Sequence, residues 1–428
     1  MKRLPPSLLA FLVALLVYSV AAGGMLTEQS LAPHYILLAD ALTHGELHIF
    51  NTGNLFDLLV FDGLLYVSSP PMPALLLFPF VALFDAGFSD VLFSVVLGAA
   101  MVALVQYLFR RPWLTLFFAL GTAHFHFSAL GSMWFLAQQA AICFGLLAVW
   151  AARNGRWLPA GAAWGAAILS RLTLLFGLPF LIIWLWYASE RERRWQNLLS
   201  LVAPIAIAGL LFASYNQARF GDPLDFGYAH LAASPNIQGV LSEYGTFHPR
   251  FLPCNLWVGL LQPPEINGYV PQLTYRACGY LLSGVNLSDS SAPIVPNPLG
   301  MSLLLVSPAF LLLAWARKRS PLIIAAWIGL AGTMLPALLL HNTGSLQFGY
   351  RYWMDAAPMW LLLLAAVLPA SEKGGSASGW QWPTVTEKPP AWLVKGLILA
   401  SVAIHVWGFF WLYERFVGMS WLLALTNR

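Results

Sequence analysis

Hydrophobic positions along this chain come in long unbroken runs rather than in the alternation of a half-buried strand or the stripe of a surface helix. The runs fall at about 8–24, 71–84, 91–109, 113–130, 133–151, 158–170, 172–187, 198–215, 300–316, 321–340, 353–369 and 392–412. A helix of roughly 20 apolar residues crosses a bilayer core, and one near a dozen lies in the interface, re-enters or stays in a protein interior. The pattern therefore predicts an all-α, polytopic membrane bundle with two large polar loops between spans. Composition agrees: 59% of the 428 residues are hydrophobic and 9% charged, with 19 Trp and a mean hydropathy of +0.69. So few polar groups do not cover a soluble globule of this size.

Charge placement sets the expected topology. The segment from Met25 to Ser69 carries Glu28, Asp40, Glu46, Asp57 and Asp62 with His34, His44 and His48, and no Lys or Arg occurs between Arg3 and Arg110. Such a loop reads as extracytoplasmic, because basic residues are retained on the cytoplasmic side. The basic clusters are Arg110-Arg111, Arg153 with Arg156, Arg191 with Arg193-Arg194, Arg317-Lys318-Arg319, and Lys373 with Lys388. If every run crossed, all five would lie opposite Lys2 and Arg3; if one run between Ser69 and Arg110 stays on one side, all five join them inside. The run 71–84 is the candidate, being short, introduced by Pro70-Pro71-Met72-Pro73 and interrupted by Pro79. Splitting 158–187 at Ser170-Arg171 then gives about 11 crossings with the amino terminus cytoplasmic. A unit 1–369, containing an outer loop 25–90 and an outer cap 216–299, precedes a cytoplasmic linker 370–391 and a last span with outer tail, 392–428.

Several chemistries are set aside. There is no basic stripe with interleaved aromatics of the nucleic-acid kind. Three cysteines make no metal cluster: Cys143 sits in an apolar run as an inert thiol, and Cys254 and Cys278, both in the cap, either pair or remain free. His230 and His248 have no ligand-like spacing, so no metal or other cofactor is expected.

What remains is a loop surface with acids and two isolated cations. Pro33 to His44 reads as a short amphipathic helix lying on the membrane surface. Tyr35, Leu38 and Leu42 form its apolar face, and Asp40 with His44 its polar one. Asp40 or Asp62 is the candidate base. Arg171 and Arg351 each stand at the outer end of a span without neighbouring charge, except that Arg351 has Asp355 one turn on. An arginine fork suits phosphate oxygens; the plainer readings are snorkelling to headgroups or, for Arg351, an ion pair with Asp355.

The stretch Asp62-Gly63-Leu64-Leu65-Tyr66-Val67-Ser68-Ser69-Pro70-Pro71-Met72-Pro73 resembles a loop of the GT-C superfamily of integral-membrane glycosyltransferases, in particular the aminoarabinose transferases and protein O-mannosyltransferases. His44-Gly45-Glu46-Leu47, Leu169-Ser170-Arg171-Leu172-Thr173, Tyr215-Asn216-Gln217-Ala218-Arg219-Phe220-Gly221-Asp222-Pro223 and Gln347-Phe348-Gly349-Tyr350-Arg351-Tyr352 with Asp355 are similar in the same order. The chain departs from the family in two places. Thr27-Glu28-Gln29-Ser30 replaces an Asp-Glu pair, and Ser69 stands where the aminoarabinose transferases have Lys.

The resemblance implies transfer of a sugar from a polyprenyl-phosphate donor to an extracytoplasmic acceptor at the outer face of a cell inner membrane. Catalysis would fall to Asp40 and Asp62. Arg171, Arg351, Tyr66, Gln347 and Tyr352 would bind substrate, with no metal and with membrane lipid as surroundings. A transporter or lipid flippase is the alternative, disfavoured by the scarcity of mid-span charge and of internal repeats. A non-catalytic scaffold is the third reading, raised by the missing acid pair.

Overall fold

The computed structural model describes residues 4–50, 57–233, 235–282, 292–317, 319–344, 347–369, 382–418 and 420–421. Most of the linker expected at 370–391 and of the tail expected beyond 417 lies outside them. Among the described residues, seventeen α-helices and two short antiparallel strand pairs form the fold. Helices α1 (Pro6–Ala22), α4 (Asp90–Phe109), α7 (Met133–Arg153), α10 (Arg194–Phe220), α15 (Pro321–Leu339) and α17 (Ala391–Val417) are long and apolar enough to cross a membrane. The pair α5 (Pro112–Leu120) and α6 (His124–Leu130) is long and apolar enough only when taken together, and is bent by 53° at its break, as a broken span or a re-entrant loop is.

Shorter pieces complete the bundle. They are α8 (Trp157–Ile168), the turn 172–175 with α9 (Pro179–Ala188), α14 (Leu303–Val306) with the 3₁₀ segment 308–315, and the 3₁₀ turn 351–356 with α16 (Ala357–Val367). Among the described residues, six helices, or seven elements with the bent pair taken as one span, have the length and composition to cross between the two ends of the molecule. One end, here the basic end, gathers Arg111, whose guanidinium donates to the Leu368 carbonyl, and Arg153, which donates to Leu108 O at 2.9 Å. Trp382 donates to the same Leu108 carbonyl. The opposite end holds the loops. There Asp90, at the start of α4, accepts from the Ser30 backbone N–H at 2.8 Å and from Ser132 N at 3.4 Å, pinning three chain segments together.

Small residues permit the close passes. At Gly161 a Cβ would meet the Leu201 backbone, so α8 and α10 pack backbone to backbone. Gly329 and Gly332 lie against Phe180 and Phe176, so α9 and α15 run antiparallel. The break predicted at Ser170-Arg171 is present. Ser170 Oγ donates back to Ala166 O at 2.9 Å, a bond that competes with helix propagation, and Arg171 is extended at φ −148°, ψ 111°.

The helix expected at 33–44 is α2 (His34–Thr43). Its apolar face is not laid on lipid: Tyr35, Ile36 and Leu38 are buried against α3 (Met72–Phe84) and the first turns of α7. Helix α3 begins with Met72 N bonded to Leu169 O at 3.1 Å and leads into the Ser89–Asp90 cap, so both its ends lie at the loop end and it does not cross. The Asp62–Pro73 stretch that carries the family resemblance starts at a turn. The turn joins the strands of an antiparallel hairpin, β1 (Leu58–Phe61) and β2 (Leu64–Val67). Asp62 (φ 48°) and Gly63 (φ 77°) form its two-residue turn, where positive φ at both positions selects Asp-Gly.

The cap holds α11 (Pro235–Tyr244), α12 (Leu252–Leu260), α13 (Gln272–Cys278) and the strand pair β3 (Glu265–Ile266) with β4 (Ile294–Val295). Cys254 and Cys278 are bonded, joining α12 to α13. The cap is knitted to the hairpin by Ala232 N to Leu58 O at 2.8 Å, and to the end of α15 by His248 N to Leu339 O at 2.9 Å.

Candidate functional site

Where α8 breaks, Arg171 turns toward the 351–356 segment, and there it meets Asp355. The carboxylate is buried and fully engaged. Oδ2 accepts from Arg171 Nη2 at 3.0 Å, Arg171 Nε at 3.2 Å and Thr173 Oγ1 at 2.9 Å, while Oδ1 accepts from Gln138 Nε2 at 2.8 Å. Gln138, one turn into α7, also donates to the Arg351 carbonyl at 2.9 Å. The same nodes thus fix α7, the α8 break and the start of α16. The sequence offered Asp355 to Arg351 at i+4; the structure gives it to Arg171, 184 residues away.

Arg351 is left without a carboxylate partner among the described residues, though only 8% exposed. Its Nε has no hydrogen-bond partner. The Tyr352 ring is within cation–π reach of both guanidiniums, 5.6 Å from that of Arg171 and 5.5 Å from that of Arg351. The Tyr352 phenol lies within electrostatic reach of Arg351, Arg171 and Asp57. Its hydroxyl donates to Asn342 Oδ1 at 2.8 Å. Gly344 (φ +83°) closes this corner, since a Cβ there would stand 2.8 Å from Arg351 Nε.

The predicted residues divide in two. Arg171, Arg351, Tyr352 and Gln347 come together. Gln347 spends its polar atoms internally, donating to Leu299 O at 2.9 Å and to Thr343 O at 2.5 Å and accepting from Arg351 N at 2.9 Å, so it shapes the corner rather than facing it. Tyr66 belongs to a neighbouring cluster, edge-on to Phe220 at 5.4 Å. Asp40 is half-buried on α2 and Asp62 is exposed at the hairpin tip; among the described residues no hydrogen bond, ion pair or ring contact joins either to the Arg171–Asp355 group.

The loop acid that does approach it is Asp57, which accepts from Trp134 Nε1 at 2.6 Å. Trp134 lies one turn before Gln138 on α7. The Asp57 charge also reaches His341, where burial lowers the imidazole and Asp57 raises it. Spacing alone could not rank Asp57 above its neighbours. The residues the sequence reading left out, Gln138, Thr173 and Asp355, are neutral or apparently local in the sequence and become site residues only through long-range packing.

A second buried arginine, Arg219, stands near the end of α10. It donates to Val67 O at 3.1 Å and Asn216 Oδ1 at 2.8 Å and lies over Tyr215 and Phe220, 4.0 and 4.4 Å from their ring centres. Tyr35, buried between the two clusters, lies within electrostatic reach of both Arg171 and Tyr215. Among the described residues no group of three or more His, Cys, Asp or Glu is placed to hold a metal ion. The Arg351 corner can accept an anionic group such as a phosphate, and the nearby Asp57 carboxylate can accept a proton.

Fold and site together define an all-α polytopic membrane protein with a buried arginine–carboxylate group beneath its loops. Among solved structures, ArnT from Cupriavidus metallidurans bound to undecaprenyl phosphate is similar, with 14% identity and a TM-score of 0.44 over 84% of this chain and 59% of that one. This chain thus spans about 59% of the length of that protein. No family model matches the sequence, and no curated protein does.

Proposed function

We propose that this protein is a membrane glycosyltransferase that moves a sugar from a polyprenyl-phosphate donor to an extracytoplasmic acceptor. The observation that carries the reading is Arg351, a nearly buried cation without a carboxylate, set against Tyr352 and the Arg171–Asp355 pair. A buried cation left uncompensated is costly, and a donor phosphate would supply the missing anion. The motif resemblance to the GT-C superfamily supports the same chemistry, and the ArnT structure is of a protein bound to such a lipid.

In this reading Asp355 holds Arg171 in place, and Arg351 meets the phosphate with Tyr352 beside it. A first-loop carboxylate removes the proton of the acceptor hydroxyl, whose oxygen bonds the anomeric carbon as the bond from that carbon to the phosphate oxygen breaks. The extra negative charge left on the polyprenyl phosphate falls on Arg351. Geometry favours Asp57 as that carboxylate, with Asp40 and Asp62 as the other candidates. The Arg110-Arg111, Arg153 and Arg317 clusters at the end opposite the site support a cytoplasmic basic end, and the cap disulfide supports an oxidising loop side. The inner membrane of a bacterium meets both conditions.

Native mass spectrometry in nanodiscs supplied with polyprenyl-monophosphate sugars tests this. The wild type should retain a sugar-bearing lipid, and Arg351→Ala should lose roughly 10- to 100-fold in donor affinity, as for a charged hydrogen bond removed. Unchanged donor affinity in that variant sinks the proposal. Asp57→Asn should keep the adduct but lower transfer by about 10²–10⁴-fold. If Asp40→Asn or Asp62→Asn does so instead, the base moves to that residue.

A further inference from the structure

A groove at the basic end, remote from the site, lies between the 308–315 segment and the first turns of α15, with a cavity volume of about 330 Å³. Its wall is apolar, made by Leu313, Ile323, Ile324 and Trp327, and its rim is cationic, made by Arg317 and Arg319. Trp327 Nε1 donates to Ala316 O at 2.9 Å next to Arg317, and Ser320, next to Arg319, caps α15 by accepting from Ile323 N at 3.3 Å. Both arginines are exposed, and neither has an ion pair among the described residues. No Asp or Glu occurs in the sequence between Ser291 and Asp355, so none comes from the groove's own segments, and Glu190, just past the end of the antiparallel α9, pairs with Arg193.

We infer that this groove binds an anionic phospholipid, its phosphate on Arg317 and Arg319 and the upper part of an acyl chain along Ile324 and Trp327. The assignment follows from complementarity. A soluble anion would use the rim and leave the apolar wall wet, whereas a zwitterionic lipid would fill the wall with no net charge to offer the two cations. A lipid with an anionic headgroup satisfies both, at the depth where basic residues between membrane helices attract such headgroups.

The test is native mass spectrometry of the full chain released from nanodiscs of phosphatidylglycerol or phosphatidylcholine, with lipid retention counted. Wild-type protein should retain one more phosphatidylglycerol than the Arg317→Ser/Arg319→Ser double variant, with apparent affinity roughly tenfold or more apart, and the two should not differ in phosphatidylcholine. Ile324→Trp, which fills the groove and leaves both charges, should lose the same lipid. Equal phosphatidylglycerol retention by wild type and double variant overturns the inference. So does loss with the double variant but not with Ile324→Trp, which would reduce the site to surface attraction. Displacement of the lipid by millimolar inorganic phosphate would overturn it in favour of a soluble anion. Both variants change surface or groove positions, and unaltered thermal unfolding in the same nanodiscs confirms that they fold.

Discussion

Two buried arginine clusters lie side by side beneath the loops, and they handle the same charge differently. Arg219 gives its terminal nitrogens to a backbone carbonyl and an amide oxygen and packs against two rings, those of Tyr215 and Phe220. It ties β2 to α10, and nothing in its surroundings asks for a further partner except its Nε. Around Tyr352, one guanidinium is neutralised by Asp355, and the other, that of Arg351, lies against Tyr352 with no carboxylate partner among the described residues. Burial alone therefore does not mark a functional cation. What distinguishes Arg351 is a buried guanidinium with neither a carboxylate nor a carbonyl or amide acceptor among the described residues, in the corner where Gly344 leaves room for its Nε.

The strongest way to break this comparison is through stability. Arg171→Ala would strand the Asp355 carboxylate with only Thr173 and Gln138 as donors, a loss on the order of 3–5 kcal/mol for a buried pair broken from one side. Arg219→Ala removes two hydrogen bonds from a charged donor and frees a carbonyl and an amide, about 1–3 kcal/mol. Arg351→Ala should cost least, because it strands no acid. Thermal unfolding in one nanodisc lipid should thus rank the variants Arg171, Arg219, Arg351 from lowest to highest midpoint. An Arg351→Ala midpoint as low as that of Arg171→Ala would make Arg351 another structural clamp.

The helical frame was legible because membrane spans announce themselves by length and composition. The break at Ser170-Arg171 was legible too, because a polar pair in a long apolar stretch cannot continue unchanged through hydrocarbon. The site was legible in part. Arg171, Arg351 and Tyr352 stood out as cations and an aromatic at span ends, and they do meet. Their pairing was not legible, since Asp355 is local to Arg351 in sequence but reaches Arg171 only once α8 and α16 pack. At Asp62 a second reading was also legible: Asp-Gly between Leu-Leu-Val-Phe and Leu-Leu-Tyr-Val is a hairpin-turn signal, and its backbone geometry gives a structural reason for the residue type beside the chemical one.

A gentler probe leaves every charge in place and moves only the support. Phe348, three residues before Arg351, is driven between α6 and α17, where its ring lies 5.4 Å from those of both His126 and His405. It fits because residue 408 is glycine, where a Cβ would collide with the Phe348 ring. Gly408→Ala should displace the ring at roughly 1–3 kcal/mol of overpacking and weaken donor binding, with Arg351 chemically intact. Adding Phe348→Leu should restore part of the affinity. If Gly408→Ala lowers the unfolding midpoint with donor affinity unchanged, the corner is held by Gln347 and Gly344 alone, and Phe348 is only packing.

The smallest expected effect sharpens the comparison with a carboxyl group. Asp355 is buried with a cation, whereas Glu265 is buried in the cap with one amide contact, from Asn297 Nδ2 at 3.2 Å, and only the more distant charge of Arg415. Burial pushes the Glu265 carboxyl up from 4.5 to about 7, with Arg415 opposing. The folded cap therefore holds a proton that the unfolded chain releases above about 4.5. Its stabilising effect is complete below that value and is lost as pH rises through about 7, where folding must bury a charge. Wild type should melt at a lower temperature at pH 8 than at pH 5.5, and Glu265→Gln should flatten that difference, because an amide keeps the Asn297 contact and has no proton to lose. Parallel melting curves for the two proteins across this range would mean that Glu265 keeps its charge in the fold, and that the cap, like the Arg171–Asp355 pair, compensates its buried acid.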